Sequence, residues 1–316
     1  MLTARPRFDP AIPDSAKPDV AADDRALHVL QTLKGHSGAD VVLGLREGRS
    51  LVRKTAGASA QNARLEGQAE KQRVLLAHGL PLPRILSQGL DAAGRAFIEM
   101  EYVPARTAAS VVVDGTAFPT DLVIAALERA LTLFRLTESE ALAPEVFQRK
   151  IEEIIIKTAH GAGDRLGAAV DAMGRTLLNL PWSGIPSSAC HGDLTLENIL
   201  IGQRNGVVFI DCDEPFASSS WLDVAKLCQD VDGHWCLRHL YLESPEALAL
   251  VHAVERLHRL RPFLRALAAR TTPGFEAFRP QLTALNLFRT LPYTKDTHQI
   301  AFVLDRMRVV LAAPGM

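Results

Sequence analysis

The residues Cys190-His191-Gly192-Asp193-Leu194-Thr195-Leu196-Glu197-Asn198-Ile199-Leu200 are followed by Val207-Val208-Phe209-Ile210-Asp211-Cys212-Asp213. Together they set a carboxylate, an amide five positions on and a second carboxylate thirteen further, each beside an apolar run able to hold it rigidly. Phosphoryl transfer from ATP needs such a set: one Asp orients the attacking hydroxyl and accepts its proton, while an Asn and an Asp hold Mg²⁺ on the phosphates. Each piece alone has a plainer reading. His191-Gly192-Asp193 could be a loop histidine beside a helix-capping Asp, and Asp211-Cys212-Asp213 a turn, a glycosyltransferase-type DxD or part of a metallohydrolase site. The order of loop, short turn at Gly202 and Asn205-Gly206, apolar strand and metal Asp favours phosphoryl transfer over these.

The Asp-x4-Asn spacing matches the protein-kinase catalytic loop, with Gly192 where a protein kinase has Arg. HGDLTLEN with a following ID-x-D resembles the aminoglycoside phosphotransferase and choline kinase-like family, which phosphorylates small molecules on a protein-kinase-like fold. The resemblance covers about residues 27–235 and is strongest over 190–223. It implies an α+β, bilobal fold, with a small N-terminal lobe of antiparallel sheet and one helix, a larger and mostly helical C-terminal lobe, and ATP between them. The roles it implies are Asp193 as the catalytic group and Asn198 and Asp211 as ligands of one or two Mg²⁺ ions. A Lys on the third strand would pair with the α- and β-phosphates, oriented by a carboxylate on the next helix. A hinge would bind adenine through the carbonyl of Glu101 and the amide of Val103.

These residues need elements to position them. Residues 1–24 carry Pro6, Pro10, Pro13 and Pro18 without an apolar period and read as a flexible tail. The stretch Leu33 to Leu45 reads as strand, glycine-bearing turn, strand; taken alone a plain hairpin turn fits it better, and the following turn at Arg46 to Arg49 and strand favour small residues that let the backbone approach phosphates. Ser50 to Lys54 follows as a strand in which Lys54 and Arg53 point to opposite faces. Lys54 matches the family's lysine, and Arg53 reads as a solvated charge. On the helix from about Ala60 to His78, Glu70 is chosen to face Lys54, because Val74 and Ala77 follow it at helical spacing; Glu66 and Gln68 stay open as its alternatives. Strands are expected over Arg84 to Gln88 and Ala96 to Val103, the second stopped by Pro104. Helices are expected over Leu122–Leu136, Val146–Ile156, Leu222–Val231, Glu246–Ala268 and Gln299–Leu311. Asp223 opens the third of these and is expected to brace the HGD loop with Ser218 to Ser220. The domain reading is a tail over 1–24, a nucleotide-binding lobe over 25–103 and a catalytic and acceptor-binding lobe over 104–316.

The 316 residues suffice for two lobes, and 47% hydrophobic composition is ample for a core. A net charge of −1 gives no reason to expect nucleic acid as a partner. No apolar run reaches the roughly 20 residues that span a bilayer, and a cytoplasmic location is the expectation. Cys190, Cys212, Cys228 and Cys236 lack zinc spacing and read as buried thiols. From Glu214 onward 12 Lys and Arg stand against 10 Asp and Glu, with Arg256, Arg259, Arg261, Arg265 and Arg270 close together. That balance favours a sugar or other hydroxylated metabolite over a polycationic aminoglycoside as acceptor, although the same arginines suit the wet face of one long helix. A nucleotide-binding module without turnover, and a metal-dependent phosphoesterase or glycosyltransferase using the DxD, are the alternatives.

Overall fold

A computed structural model of the chain describes residues 27–33, 38–159, 164–202, 206–243, 247–294 and 296–313. The tail, the turn residues 34–37 and Asn205 lie outside the described residues. The first elements are strands β1 (His28–Leu33), β2 (Asp40–Arg46) and β3 (Arg49–Thr55), helix α1 (Asn62–Ala77), and strands β4 (Ile85–Leu90) and β5 (Ala96–Glu101). A short strand β6 (Ala105–Thr107) precedes helices α2 (Ala108–Asp114), α3 (Thr120–Arg135), α4 (Pro144–Ala159) and α5 (Asp164–Leu178). Strands β7 (Ile199–Gly202) and β8 (Gly206–Phe209) are neighbours in a small second sheet. Helices α6 (Ser220–Val231), α7 (Arg238–Glu243), α8 (Ala247–Thr271), α9 (Arg279–Phe288) and α10 (Thr297–Ala312) complete the order.

These elements group into two compact units, one running to Ala105 and including Leu200–Glu214, the other comprising Arg106–Ile199 and the chain from Pro215 onward. In the first, five antiparallel strands lie in the order β1-β2-β3-β5-β4. Helix α1 covers β5, and Ala56, Leu65, Ala69, Ala96 and Ile98 close the core between helix and sheet. The small residues allow that close approach. At Gly57 a Cβ would come 2.1 Å from the carbonyl oxygen of Gly38, so no larger residue fits there without moving backbone. The segment carrying Asp211 is tied to this unit by the Phe209 amide, which donates to the Pro81 carbonyl at 2.8 Å.

The second unit is helical, and every residue of α6 is buried. Helix α9 packs along α6, with the Asn286 amide donating to the Leu222 carbonyl at 3.3 Å, while Trp221 meets Phe275 and Phe278. Side chains such as Phe134, Phe147, Leu177 and Phe288 fill the rest of the core. Burial of residues of this size stabilises by about 1.5–3 kcal/mol each, which is why the polar residues on α6 need partners of their own. No described helix is long and apolar enough to cross a membrane.

Candidate functional site

Two clusters of the expected residues form, one in each unit. In the first unit Lys54 lies on β3 opposite Val41 and Ile98 and is only 6% exposed. Its ammonium ion-pairs with Asp211 and donates to Gln68 Oε1 at 3.0 Å. Gln68 in turn donates to Asp213 Oδ1 at 2.7 Å, and Arg64 holds Asp213 Oδ2 at 2.7 Å. A chain of contacts Lys54–Gln68–Asp213 thus fixes the lysine from the helix side. Asp211 follows β8 with φ of 64°, a left-handed conformation that costs a non-glycine residue energy and that Asp tolerates better than most. The turn leaves its side chain 43% exposed while the neighbouring Cys212 is buried.

The structure differs from the sequence expectation at Glu70 and Arg53. Glu70 is exposed and pairs with Arg73 at 3.3 Å rather than with Lys54. The buried stripe of α1 is Leu65, Gln68, Ala69, Gln72 and Leu75, and Glu70 is turned away from it. Gln68 stands where a carboxylate was expected. Arg53 is not a solvated charge: its guanidinium lies 3.7 Å from the Phe97 ring centre and 3.8 Å from Glu99, a buried carboxylate that Arg46 and Ser87 also hold. Glu101 ends β5, its side chain on Arg84, and Val103 falls two residues later in an irregular stretch. Among the described residues the Val103 amide enters none of the turn and loop backbone hydrogen bonds.

In the second unit the HGD loop is held by helix α6. Asp223 accepts the amides of His191 at 2.5 Å and Gly192 at 2.8 Å, and Ser219 caps the helix by accepting from the Trp221 amide. Gly192 has φ of 96°, a region in which only glycine is unstrained, so the arginine of a protein kinase would not fit this turn. His191 is buried, and its Nδ1 accepts the Asp193 amide at 3.3 Å. Asn198 Nδ2 donates to the Asp193 carbonyl at 2.8 Å and to Asp193 Oδ2 at 2.9 Å. Lys226 Nζ lies 2.9 Å from Asp193 Oδ1. Burial pushes the Asp193 carboxyl up, but the Lys226 ammonium, aided by Arg289 and His191, outweighs it and holds the group below its ordinary value. One turn on, Asp230 accepts the Leu196 amide at 2.6 Å.

Taken singly, Asp211 in the first unit and Asn198 in the second each carry an oxygen of the kind a hard cation such as Mg²⁺ binds. Asp211 keeps an exposed carboxylate, and Asn198, with its nitrogen turned to Asp193, has its amide oxygen directed elsewhere.

A model of the phosphotransferase enzyme family (APH) matches residues 28–267. The chain belongs to this family. No curated protein matches it. Among solved structures, a thermostable mutant of aminoglycoside phosphotransferase APH(4)-Ia in its apo form is 14% identical, with 92% of this chain and 96% of that one covered and a TM-score of 0.58. A related mutant in ternary complex with ADP and hygromycin B is 16% identical, with 90% and 94% covered and a TM-score of 0.58. Another, with AMP-PNP and hygromycin B, is 15% identical at the same coverage and TM-score. These likenesses show that this phosphotransferase-family chain has the α+β, protein-kinase-like fold.

For this phosphotransferase the sequence reading found Asp223 but passed over Lys226 and Asp230. The signal was present: Asp223, Lys226 and Asp230 sit at i, i+3 and i+7 on a helix whose other residues, Ser220 and Gln229 apart, are apolar, which puts all three on one face. Burial, with Glu197 adding to it, pushes the Asp230 carboxyl from its ordinary 3.8 up to about 7. A carboxyl raised on folding contributes stability that is full below the unfolded value and is lost as pH rises through the folded one. Asp230→Asn still accepts from Leu196 but has no proton to lose. Relative to wild type, its unfolding free energy should therefore rise between pH 5 and pH 8. An unchanged difference at the two pH values would show that Asp230 holds no proton.

Proposed function

We propose that this chain is an ATP- and Mg²⁺-dependent phosphotransferase acting on a hydroxyl of a small molecule, a sugar or other hydroxylated metabolite rather than an aminoglycoside. The observation that carries the reading is the HGD loop: a carboxylate kept ionised by Lys226 and tied to Asn198, on a loop braced by Asp223. Asp193 orients the acceptor hydroxyl for in-line attack and receives its proton; with a loose transition state, orientation counts for more than basicity. Lys54 takes the α- and β-phosphates, and Gln68 aims it. Glu101 and Val103 bind adenine through their backbone. Asn198 and Asp211 would each offer an oxygen to Mg²⁺, which would supply neutralisation of charge on the phosphate oxygens. Residues 25–103 serve the nucleotide, and residues 104–316 serve catalysis and the acceptor. That relatives of this fold were crystallised with ADP and AMP-PNP supports a nucleotide substrate.

The arginines of α8 do not carry the choice of acceptor. Three of the five serve separate structural ends, Arg256 capping the carbonyls of Val112 and Val113, Arg261 pairing with Asp232 and Arg270 with Glu128. The choice rests on Asp193 instead: Lys226 offsets its charge and Arg289 adds a further cation, so its surroundings lack the excess negative charge that would draw a polycation. A metal-binding DxD is disfavoured by Asp213, whose oxygens accept from Gln68 and Arg64.

The reading is tested at Asp211. Asp211→Ala removes the main carboxylate for the metal, so the gain in ATP affinity on adding Mg²⁺, measured by calorimetry, should shrink by about tenfold or more, one such ligand contact exceeding 1.4 kcal/mol. If Mg²⁺ strengthened ATP binding as in wild type, Asp211 would not be a metal ligand.

A further inference from the structure

Helix α6 meets the HGD loop at three points, and only the outer two are explained by the need to satisfy backbone amides. Asp223 holds the start of the loop and Asp230 its end. Between them Lys226 reaches no backbone carbonyl among the described residues of the loop; its ammonium faces the carboxylate of Asp193. The lysine is 8% exposed, so its charge has been taken out of water. A solvated pair of this kind would be worth little, whereas a buried ammonium must be paired to be tolerated at all.

We propose that Lys226 is a positioning residue for phosphoryl transfer, clamping Asp193 against Asn198 so that one free edge of the carboxylate is left for the acceptor hydroxyl. The inference rests on the reading of Asp193 given above. Lys226 occupies Oδ1 and Asn198 Nδ2 occupies Oδ2, both at 2.9 Å, while 35% of the side chain stays exposed. A carboxylate has about four lone-pair directions, so two anchors, one on each oxygen, fix both side-chain torsions and leave acceptor capacity on the exposed edge. Freed of one anchor, the group rotates about its Cβ–Cγ bond. A misplacement of about 1 Å is enough to cost on the order of 10²-fold in rate.

The test uses the full chain and the slow hydrolysis of Mg-ATP, with water as the acceptor, so that no acceptor need be known. Lys226→Met keeps the length and loses the ammonium; Lys226→Arg keeps a cation. Turnover should fall by roughly 30-fold or more in Lys226→Met, with the Mg-ATP dissociation constant within about twofold of wild type, as expected for a group acting only on the chemical step. Lys226→Arg should recover about tenfold of that loss, and Lys226→Met combined with Asp193→Asn should be no slower than Asp193→Asn alone, the two residues acting as one unit. Wild-type turnover in Lys226→Met overturns the proposal. So does an equal fall in Met and Arg variants together with lost cooperative melting, which marks a purely structural lysine. If Lys226→Met does not fold, Lys226→Gln takes its place, and failure of both to fold counts as that structural result. Wild-type turnover in Asp193→Asn is a separate outcome: it sinks the reading of Asp193 itself.

Discussion

Asp193→Ala should abolish phosphotransfer, by roughly 10²- to 10⁴-fold, the range for losing a positioned proton acceptor, while Mg-ATP affinity stays within about twofold of wild type. The asymmetry follows from what the side chain touches. Its oxygens engage Lys226 and the amide nitrogen of Asn198, and the remaining edge is open. None of these contacts is to a group proposed to bind nucleotide by that same atom. The loop's backbone should keep its course, because Asp223 and Asp230 hold it and Gly192 supplies its turn, while the Lys226 ammonium left without its partner lowers the melting temperature. Parallel calorimetry with Mg-ATP and a coupled ADP-release assay check the claim. Near wild-type release would remove Asp193 from the reaction, and a collapse of nucleotide affinity would move it to the metal.

Lys54→Ala should cut phosphotransfer by about 10²-fold or more, a lost phosphate contact in a water-poor site being worth several kcal/mol, and should weaken Mg-ATP binding with it. Little stability is at stake. The Asp211 carboxylate left behind is 43% exposed and can be hydrated, and Gln68 keeps its contact with Asp213. Arg53→Ala, one residue earlier on the other face, should show the reverse pattern: turnover within about threefold, but a loss of about 1 kcal/mol of stability from the contact with Phe97. Thermal melts and ADP release on both variants separate the two faces of β3. Equal, small effects of both on turnover would leave no basic residue of this strand serving ATP, and a nucleotide-binding chain without turnover would become the better account.

What the sequence revealed was what chemistry constrains tightly. The spacing of Asp193, Asn198 and Asp211, and the alternation that separates Lys54 from Arg53, are local relations between residue types, and they led to the family and the fold. The partner of Lys54 was not local in that sense. Helix α1 buries Gln68 and Gln72 beside Leu65 and Leu75, so its inner face is not marked by apolar residues, and the search for a carboxylate selected the exposed Glu70. Helix α2 escaped notice because its Val111-Val112-Val113 run has strand preference; the Thr107 cap and the burial of Val111 and Val112 override it. Helices α5 and α9 went unassigned as well, α5 carrying two internal glycines and α9 opening with Arg279-Pro280. That residues 200–214 group with the first unit depends on contacts such as Phe209 to Pro81, which no short window of sequence contains.

The central claim, transfer of the γ-phosphoryl group of ATP to a small-molecule hydroxyl, is met most directly by ³¹P nuclear magnetic resonance. The purified chain is incubated with Mg-ATP and pools of neutral, anionic and aminoglycoside hydroxyl compounds. The account predicts ADP together with a new phosphomonoester resonance in a neutral or anionic pool, absent without Mg²⁺ and absent with Asp193→Ala. A phosphomonoester formed in the aminoglycoside pool alone would contradict the acceptor class, and ATP bound but unconsumed in every pool would contradict the phosphotransferase itself.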